Sequence, residues 1–212
     1  MTKPLKWGVL GSRSNIWNGA LRPAMEASDI CEIGSLGSRG GTVSYEDVLA
    51  DASVEAVYIP LPNGMHREWA ERCAAAGKHV LCEKPLAPTA DDAAAMADAC
   101  AAAGVILAEA YFAPFHPRAA RLMQMAQDGD LGELRSLRAH FSFNKPDLED
   151  YRWNPDQGGG SLLDVGIYCI EPMLAASGRR AEDVGAVSAT AHRTDRGVDA
   201  VFHAWLDLGD GL

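Results

Sequence analysis

Lys84 lies within Cys82-Glu83-Lys84-Pro85, directly after the apolar run that starts at His79. A lysine at the carboxyl end of a buried parallel strand points into the crevice where open α/β sheets bind ligands. There it can give a proton or hydrogen bond to a substrate oxygen, and its charge lowers the pKa of a neighbouring acid. The competing reading is a surface lysine paired with Glu83. A second cluster stands in Gly158-Gly159-Gly160-Ser161-Leu162-Leu163-Asp164-Val165-Gly166-Ile167-Tyr168. Ser161, Asp164 and Tyr168 fall at i, i+3 and i+7, so one helix face would carry a carboxylate and a phenol. The competing reading there is a solvated polar stripe.

Three further segments suit a dinucleotide. Gly11, in Gly11-Ser12-Arg13, ends the first apolar run, and a glycine at that turn lets the backbone approach a pyrophosphate at a helix N-terminus. The full G-x-G-x-x-G pattern is absent, because Arg13 stands where a second glycine is usual; an ordinary tight turn would read the same way. Ser38-Arg39 ends the second run. An acidic residue there would serve the ribose 2′-OH of NAD, whereas a hydroxyl and an arginine fork suit the 2′-phosphate of NADP; a solvated loop arginine is the alternative. Leu61-Pro62-Asn63, followed by His66, makes a rigid shelf after the central strand, although His66 also fits a helix start with a local hydrogen bond.

The elements that must position these residues alternate. Strands are expected at Trp7–Leu10, Cys31–Leu36, Ala56–Leu61, His79–Cys82 and Val105–Ala110. Helices are expected at Asn18–Ala27, Tyr45–Ala50, Met65–Ala76 with Asn63 as cap, Thr89–Ala103 and from Pro117. Alternation of this kind predicts a Rossmann-type, doubly wound parallel sheet. The crossover from Ser38 to Ala56 is short but exceeds the roughly dozen residues that a parallel connection needs, which leaves the second strand as the sheet edge. After residue 117 the pattern becomes a strand at Leu134–Phe143, a helix at Ser161–Ala175 and two antiparallel strands, Val184–Arg193 and Ala200–Leu208. The expected organisation is a dinucleotide-binding domain at 1–117 and an α+β substrate or oligomerisation domain with an open antiparallel sheet at 118–212. That second domain reads as incomplete, and the sequence as shortened both after Arg39 and after Leu212.

Composition excludes several classes. The 212 residues are 48% hydrophobic and 23% charged, as in a folded globular protein, and the formal net charge is −10, which is unlike a nucleic-acid binder. The five scattered cysteines (Cys31, Cys73, Cys82, Cys100 and Cys169) form no C-x-x-C pair and fit a reducing cytoplasm better than a disulfide framework. No apolar run is long enough to span a bilayer, and no metal site is expected.

Taken together, the Rossmann turn, Tyr58-Ile59-Pro60-Leu61-Pro62-Asn63 with His66, Glu83-Lys84-Pro85, and Gly-Gly-Gly-x-Leu-x-Asp-x-Gly-x-Tyr resemble the glucose–fructose oxidoreductase/inositol dehydrogenase (Gfo/Idh/MocA) family. The form around Tyr168 is most similar to the branch with NADP-linked xylose dehydrogenases and dimeric dihydrodiol dehydrogenase. The resemblance implies that Lys84 and Tyr168 face a substrate carbonyl or hydroxyl beside the nicotinamide, that Arg152 lies near the cofactor, and that Asp164 is the acidic residue of the catalytic helix. It departs at Arg13 and at Pro114, where the family commonly has arginine. The expected function is an NADP-dependent oxidoreductase, with NAD as the alternative cofactor, moving a hydride between nicotinamide and an aldose, cyclic polyol or related diol. Tyr168, its pKa lowered by Lys84, would take the hydroxyl proton. A catalytically impaired NADP-binding sensor or interaction subunit is the alternative. The expected partners are a small carbohydrate-like substrate and further copies of the chain, as a dimer or tetramer, with no nucleic acid and no membrane.

Overall fold

The computed structural model describes residues 3–212. Its contacts divide the chain into two compact units, the first ending at Ala110 and the second running from Tyr111 to Leu212.

The first unit is a parallel sheet of β1 (Leu5–Leu10), β2 (Cys31–Gly37), β3 (Ala56–Ile59), β4 (His79–Glu83) and β5 (Leu107–Ala110), in the order β2-β1-β3-β4-β5. Every neighbouring pair is parallel. The expected doubly wound sheet is therefore present, and β2 forms its edge, because the crossover to β3 contains only α2 (Tyr45–Ala50). The remaining helices are α1 (Arg22–Glu26), entered through a π-helical turn at Trp17–Leu21, α3 (His66–Ala75) and α4 (Ala90–Ala102).

Side chains alternate along a strand, so a sheet covered on both faces needs two apolar layers. One layer gathers Leu10, Val57, Ile59, Val80 and Cys82 with Val48, Trp69, Cys73, Met96 and Cys100; the other holds Val9, Tyr58, Trp17 and Met25. All four residues of β3 are buried, as a central parallel strand requires. Ser44 starts α2 with a capping box to Asp47, and Thr89 caps α4 by accepting the Asp92 N–H at 3.1 Å. Asn63 is not the cap of α3: it sits in a preceding 3₁₀ turn (Asn63–Met65), and α3 starts from Met65 with no side-chain cap.

A glycine governs how closely α2 approaches the sheet. A Cβ on Gly8 would lie 2.5 Å from Val48 Cγ1 and 3.1 Å from Val54 Cγ1. Gly8→Ala is expected to destabilise the first unit by about 1–3 kcal/mol, the usual cost of overpacking a filled core. Urea denaturation checks this; an unchanged midpoint would show that α2 moves freely.

The second unit contains α5 (Pro117–Gln127), α6 (Ile167–Ser177) and an antiparallel pair, β6 (Val187–Arg193) and β7 (Asp199–Leu206). Pro117 opens α5 at the position where its missing N–H costs nothing, and His116 caps it through the Arg118 N–H. One expectation is corrected. Residues 134–143 form no strand. A strand needs a neighbour to take its N–H and C=O groups; β6 and β7 take one another's, and residues 134–143 pair with neither. The helix expected from Ser161 is present, but what differs is its first part, which runs as a π-helical turn, Leu162–Gly166, before α6.

Candidate active site

The turns at the carboxyl ends of β1, β2 and β3 are stitched to each other. Gly11 has φ +104°, and a Cβ there would stand 3.1 Å from Leu61 Cδ2 and 3.3 Å from the Pro60 carbonyl oxygen. Only glycine takes this backbone without strain. The N–H groups of Gly11 and Ser12 both donate to the Gly37 carbonyl at 2.9 Å. The exposed Arg13 guanidinium donates to the Arg39 carbonyl at 3.5 Å, and Arg39 Nη2 lies 3.8 Å from Met65 Sδ. Gly11, Ser12, Arg13, Ser38, Arg39, Leu61, Pro62 and Asn63 thus meet along one rim of the sheet. Asn63 and Leu61 are buried within it, while Arg39 is open to solvent.

Lys84 stands half-buried just beyond β4, and its peptide to Pro85 is cis. Three side chains hold the backbone around it. Glu83 Oε2 accepts the Lys84 N–H at 3.2 Å, while its Oε1 accepts the Tyr58 hydroxyl at 2.6 Å. Glu109, from β5, accepts the Leu86 N–H at 2.8 Å. His66 is fully buried, with Nδ1 3.0 Å from the Pro85 carbonyl and Nε2 2.8 Å from the Leu61 carbonyl. Its ring therefore ties the shelf after β3 to the lysine loop after β4. Burial pushes the His66 imidazole below its ordinary pKa, with the Lys84 charge acting the same way. Burial raises Glu83 and Glu109 above the usual carboxylate range, against the opposing pull of their hydrogen bonds and of the Lys84 ammonium. Tyr58 is raised by burial and by the Glu83 charge.

In the second unit the triple glycine is a conformational requirement. Gly158 and Gly160 have φ of +68° and +116°, and a Cβ on Gly159 would lie 2.5 Å from the Arg152 carbonyl oxygen. The Arg152 carbonyl in turn accepts the Gly160 N–H at 3.0 Å. Arg152 Nε donates to Asp164 Oδ2 at 2.7 Å, and its Nη1 to Asp150 Oδ1 at 3.2 Å; Lys145 Nζ reaches Asp150 at 2.6 Å. Burial opposes ionisation of Asp150, but the Lys145 and Arg152 contacts outweigh it and leave its pKa below the ordinary value. Tyr168 packs against Tyr111 and Phe141, each at 5.4 Å between ring centroids, and against Phe112 at 6.1 Å.

Ser161 donates to Asp199 Oδ2 at 2.6 Å, beside the Leu162 N–H at 2.8 Å. Leu162–Gly166, which carries Asp164, is a π turn and so bonds i to i+5. The contacts of Asp199 and Glu109 and the Tyr58–Glu83 hydrogen bond are features that the sequence reading passes over. Among the described residues no group of three or more histidine, cysteine, aspartate and glutamate side chains is placed to hold a metal ion. Among them, too, no helix is long and apolar enough to cross a membrane.

Residues 20–111 match the model of an oxidoreductase family with an NAD-binding Rossmann fold, and residues 119–212 match the GFO/IDH/MocA C-terminal domain. The chain belongs to the Gfo/Idh/MocA oxidoreductase family. Among the family's curated members it is 49% identical over 128 residues to D-xylose 1-dehydrogenase (NADP(+)) 2 of Haloferax volcanii, covering 60% of this chain and 39% of that protein. It is 35% identical over 223 residues to dTDP-3,4-didehydro-2,6-dideoxy-alpha-D-glucose 3-reductase of Actinomadura kijaniata, covering 99% of this chain and 66% of that one. The chain thus spans roughly 39% to 66% of the length of these Gfo/Idh/MocA relatives. A solved 3-ketoreductase from Actinomadura kijaniata, in complex with NADP and TDP-benzene, superposes with a TM-score of 0.88 at 33% identity, over 99% of this chain and 68% of that one. An aldose–aldose oxidoreductase from Caulobacter crescentus superposes with a TM-score of 0.84 at 29% identity, over 96% of this chain and 67% of that one.

Proposed function

We propose that this Gfo/Idh/MocA chain binds NADP and serves hydride transfer between nicotinamide and a hydroxyl-bearing carbon of an aldose, cyclic polyol or related diol. The observation that carries the reading is Lys84, placed at the carboxyl end of a parallel strand in a loop whose backbone three side chains hold. The names of the relatives support the substrate class and the choice of NADP.

The geometry of the rim supports a dinucleotide there. At Gly11 a side chain would crowd Leu61 and the Pro60 carbonyl, so glycine keeps the tight strand-end turn beside which a pyrophosphate can bind, and Ser38 and Arg39 offer a hydroxyl and a guanidinium fork in place of an acidic ribose partner. Gly11, Ser12 and Arg13 would take the pyrophosphate, Ser38 and Arg39 the 2′-phosphate, and Leu61, Pro62, Asn63, Glu83 and Lys84 the nicotinamide side, with the fully buried His66 supporting them from behind. When bound, the cofactor supplies the hydride acceptor. Lys84 is assigned to hold positive charge and a proton at the reacting oxygen. Tyr168, carried by the family resemblance, is assigned to take the hydroxyl proton, with Asp164 as the acidic residue of its helix.

Two measurements test this. Turnover of NADP with a panel of aldoses and cyclic diols is expected; NADP binding without any turnover would favour a sensor or interaction subunit instead. Arg39→Ala is expected to weaken NADP by about tenfold or more, the scale of a lost charge-assisted hydrogen bond, with NAD affinity little changed. Calorimetry showing equal losses for both nucleotides would remove Arg39 from the 2′-phosphate site.

A further inference from the structure

Resting on the reading of Lys84 above, we infer that Glu109 is a positioning residue for Lys84, acting through the Leu86 amide. Within Lys84-Pro85-Leu86 the backbone has only two N–H donors, because proline has none. Both go to half-buried carboxylates. Glu83 takes the Lys84 N–H at 3.2 Å and Glu109 takes the Leu86 N–H at 2.8 Å. The carbonyl of Pro85 faces His66 at 3.0 Å. The turn that aims Lys84 is thus pinned on both sides of Pro85, from β4 and from β5. Glu109 pairs in register with Cys82, so its carboxylate is delivered by the strand adjacent to the one that ends in the lysine.

A carboxylate is a stronger acceptor than a neutral amide for such a bond. The Lys84 charge also draws the Glu109 carboxyl toward ionisation against its burial, so the two groups interact electrostatically as well as through the loop. Glu83 has the Tyr58 hydroxyl on its second oxygen and is fixed from β3. Glu109 is the corresponding brace from the other side.

The test compares Glu109→Ala, Glu109→Gln and Lys84→Ala in the full chain, with D-xylose and NADP as probes. Glu109→Ala is expected to lower kcat by about 10- to 100-fold, the cost of misplacing a catalytic group by around an ångström, with the NADP Kd little changed. Glu109→Gln retains an oxygen for the Leu86 N–H and is expected to recover most of that loss. Amide hydrogen exchange of cofactor-free protein gives a second readout: Leu86 is expected to be protected in the parent and in Glu109→Gln, and to exchange faster in Glu109→Ala. Should the alanine variant not fold, Glu109→Asp replaces it, since its carboxylate falls one methylene short of the amide; a reduced kcat is expected. Parent-level turnover in Glu109→Ala or Glu109→Asp, or unchanged Leu86 exchange, overturns the inference. If Lys84→Ala also turns over normally, the parent reading of Lys84 fails; if Lys84→Ala is inactive while Glu109→Ala is not, only the positioning role fails.

Discussion

Lys84→Ala is expected to lower kcat by about 10²–10⁴-fold, the range for loss of a positioned proton donor or acceptor. The NADP Kd should change far less. Glu83, Glu109 and His66 hold the loop through backbone N–H and C=O groups, so truncating the lysine side chain removes the ammonium and leaves those three hydrogen bonds in place. Lys84→Arg keeps a positive charge but cannot release a proton near neutrality, so it should remain strongly impaired. Tyr168→Phe is the matching variant. Its ring keeps the packing against Tyr111, Phe112 and Phe141, and only the hydroxyl is lost. Stopped-flow and steady-state measurements of nicotinamide absorbance check both variants. Full turnover in Lys84→Ala and in Tyr168→Phe would refute the acid–base assignment.

The parts of this site that the sequence makes legible are those that follow from local pattern. His79–Cys82 is an apolar run, so the lysine after it had to lie at a strand end. Gly11 closes an apolar strand, and Ser38-Arg39 follows the next one in the place where the ribose partner is read. The Glu109 and His66 braces were not legible, because each joins residues far apart in sequence through a backbone atom. Glu109 stands in Leu107-Ala108-Glu109-Ala110, where a carboxylate reads as solvated; its partner is the Leu86 amide, which carries no sequence signal. Asp199 reads as a residue of the β6–β7 hairpin, yet it accepts from Ser161 and from the Leu162 amide. The π turn at Leu162–Gly166 is likewise invisible to a 3.6-residue reading. The strand expected at 134–143 failed for a related reason, since alternation describes a face but does not provide a neighbouring strand.

The second large effect concerns Arg152, read from the sequence as a cofactor neighbour and found paired with Asp164. The carboxylate of Asp164 is the more enclosed partner, with 9% of its side chain exposed against 31% for Arg152. Removing one partner of a buried ion pair leaves an uncompensated charge and costs several kcal/mol, whereas replacing both by apolar groups is often close to neutral. Because Arg152 retains some solvent contact, Arg152→Met is expected to destabilise the second unit by about 3 kcal/mol, the low end of that range. Asp164→Asn should cost less, since a neutral amide needs no counter-charge. The double variant Arg152→Met with Asp164→Leu should be more stable than Arg152→Met alone. The glycine turn does not confuse the comparison, because Gly160 donates to the Arg152 backbone carbonyl, which every variant keeps. Urea denaturation of the parent, Arg152→Met, Asp164→Leu and the double variant gives the coupling directly, with Asp164→Asn measured beside them. A residue that served only the cofactor would show the opposite pattern: unchanged denaturation midpoints and a raised NADP Kd in Arg152→Met. The two readings therefore separate on a measurement made without any nucleotide present.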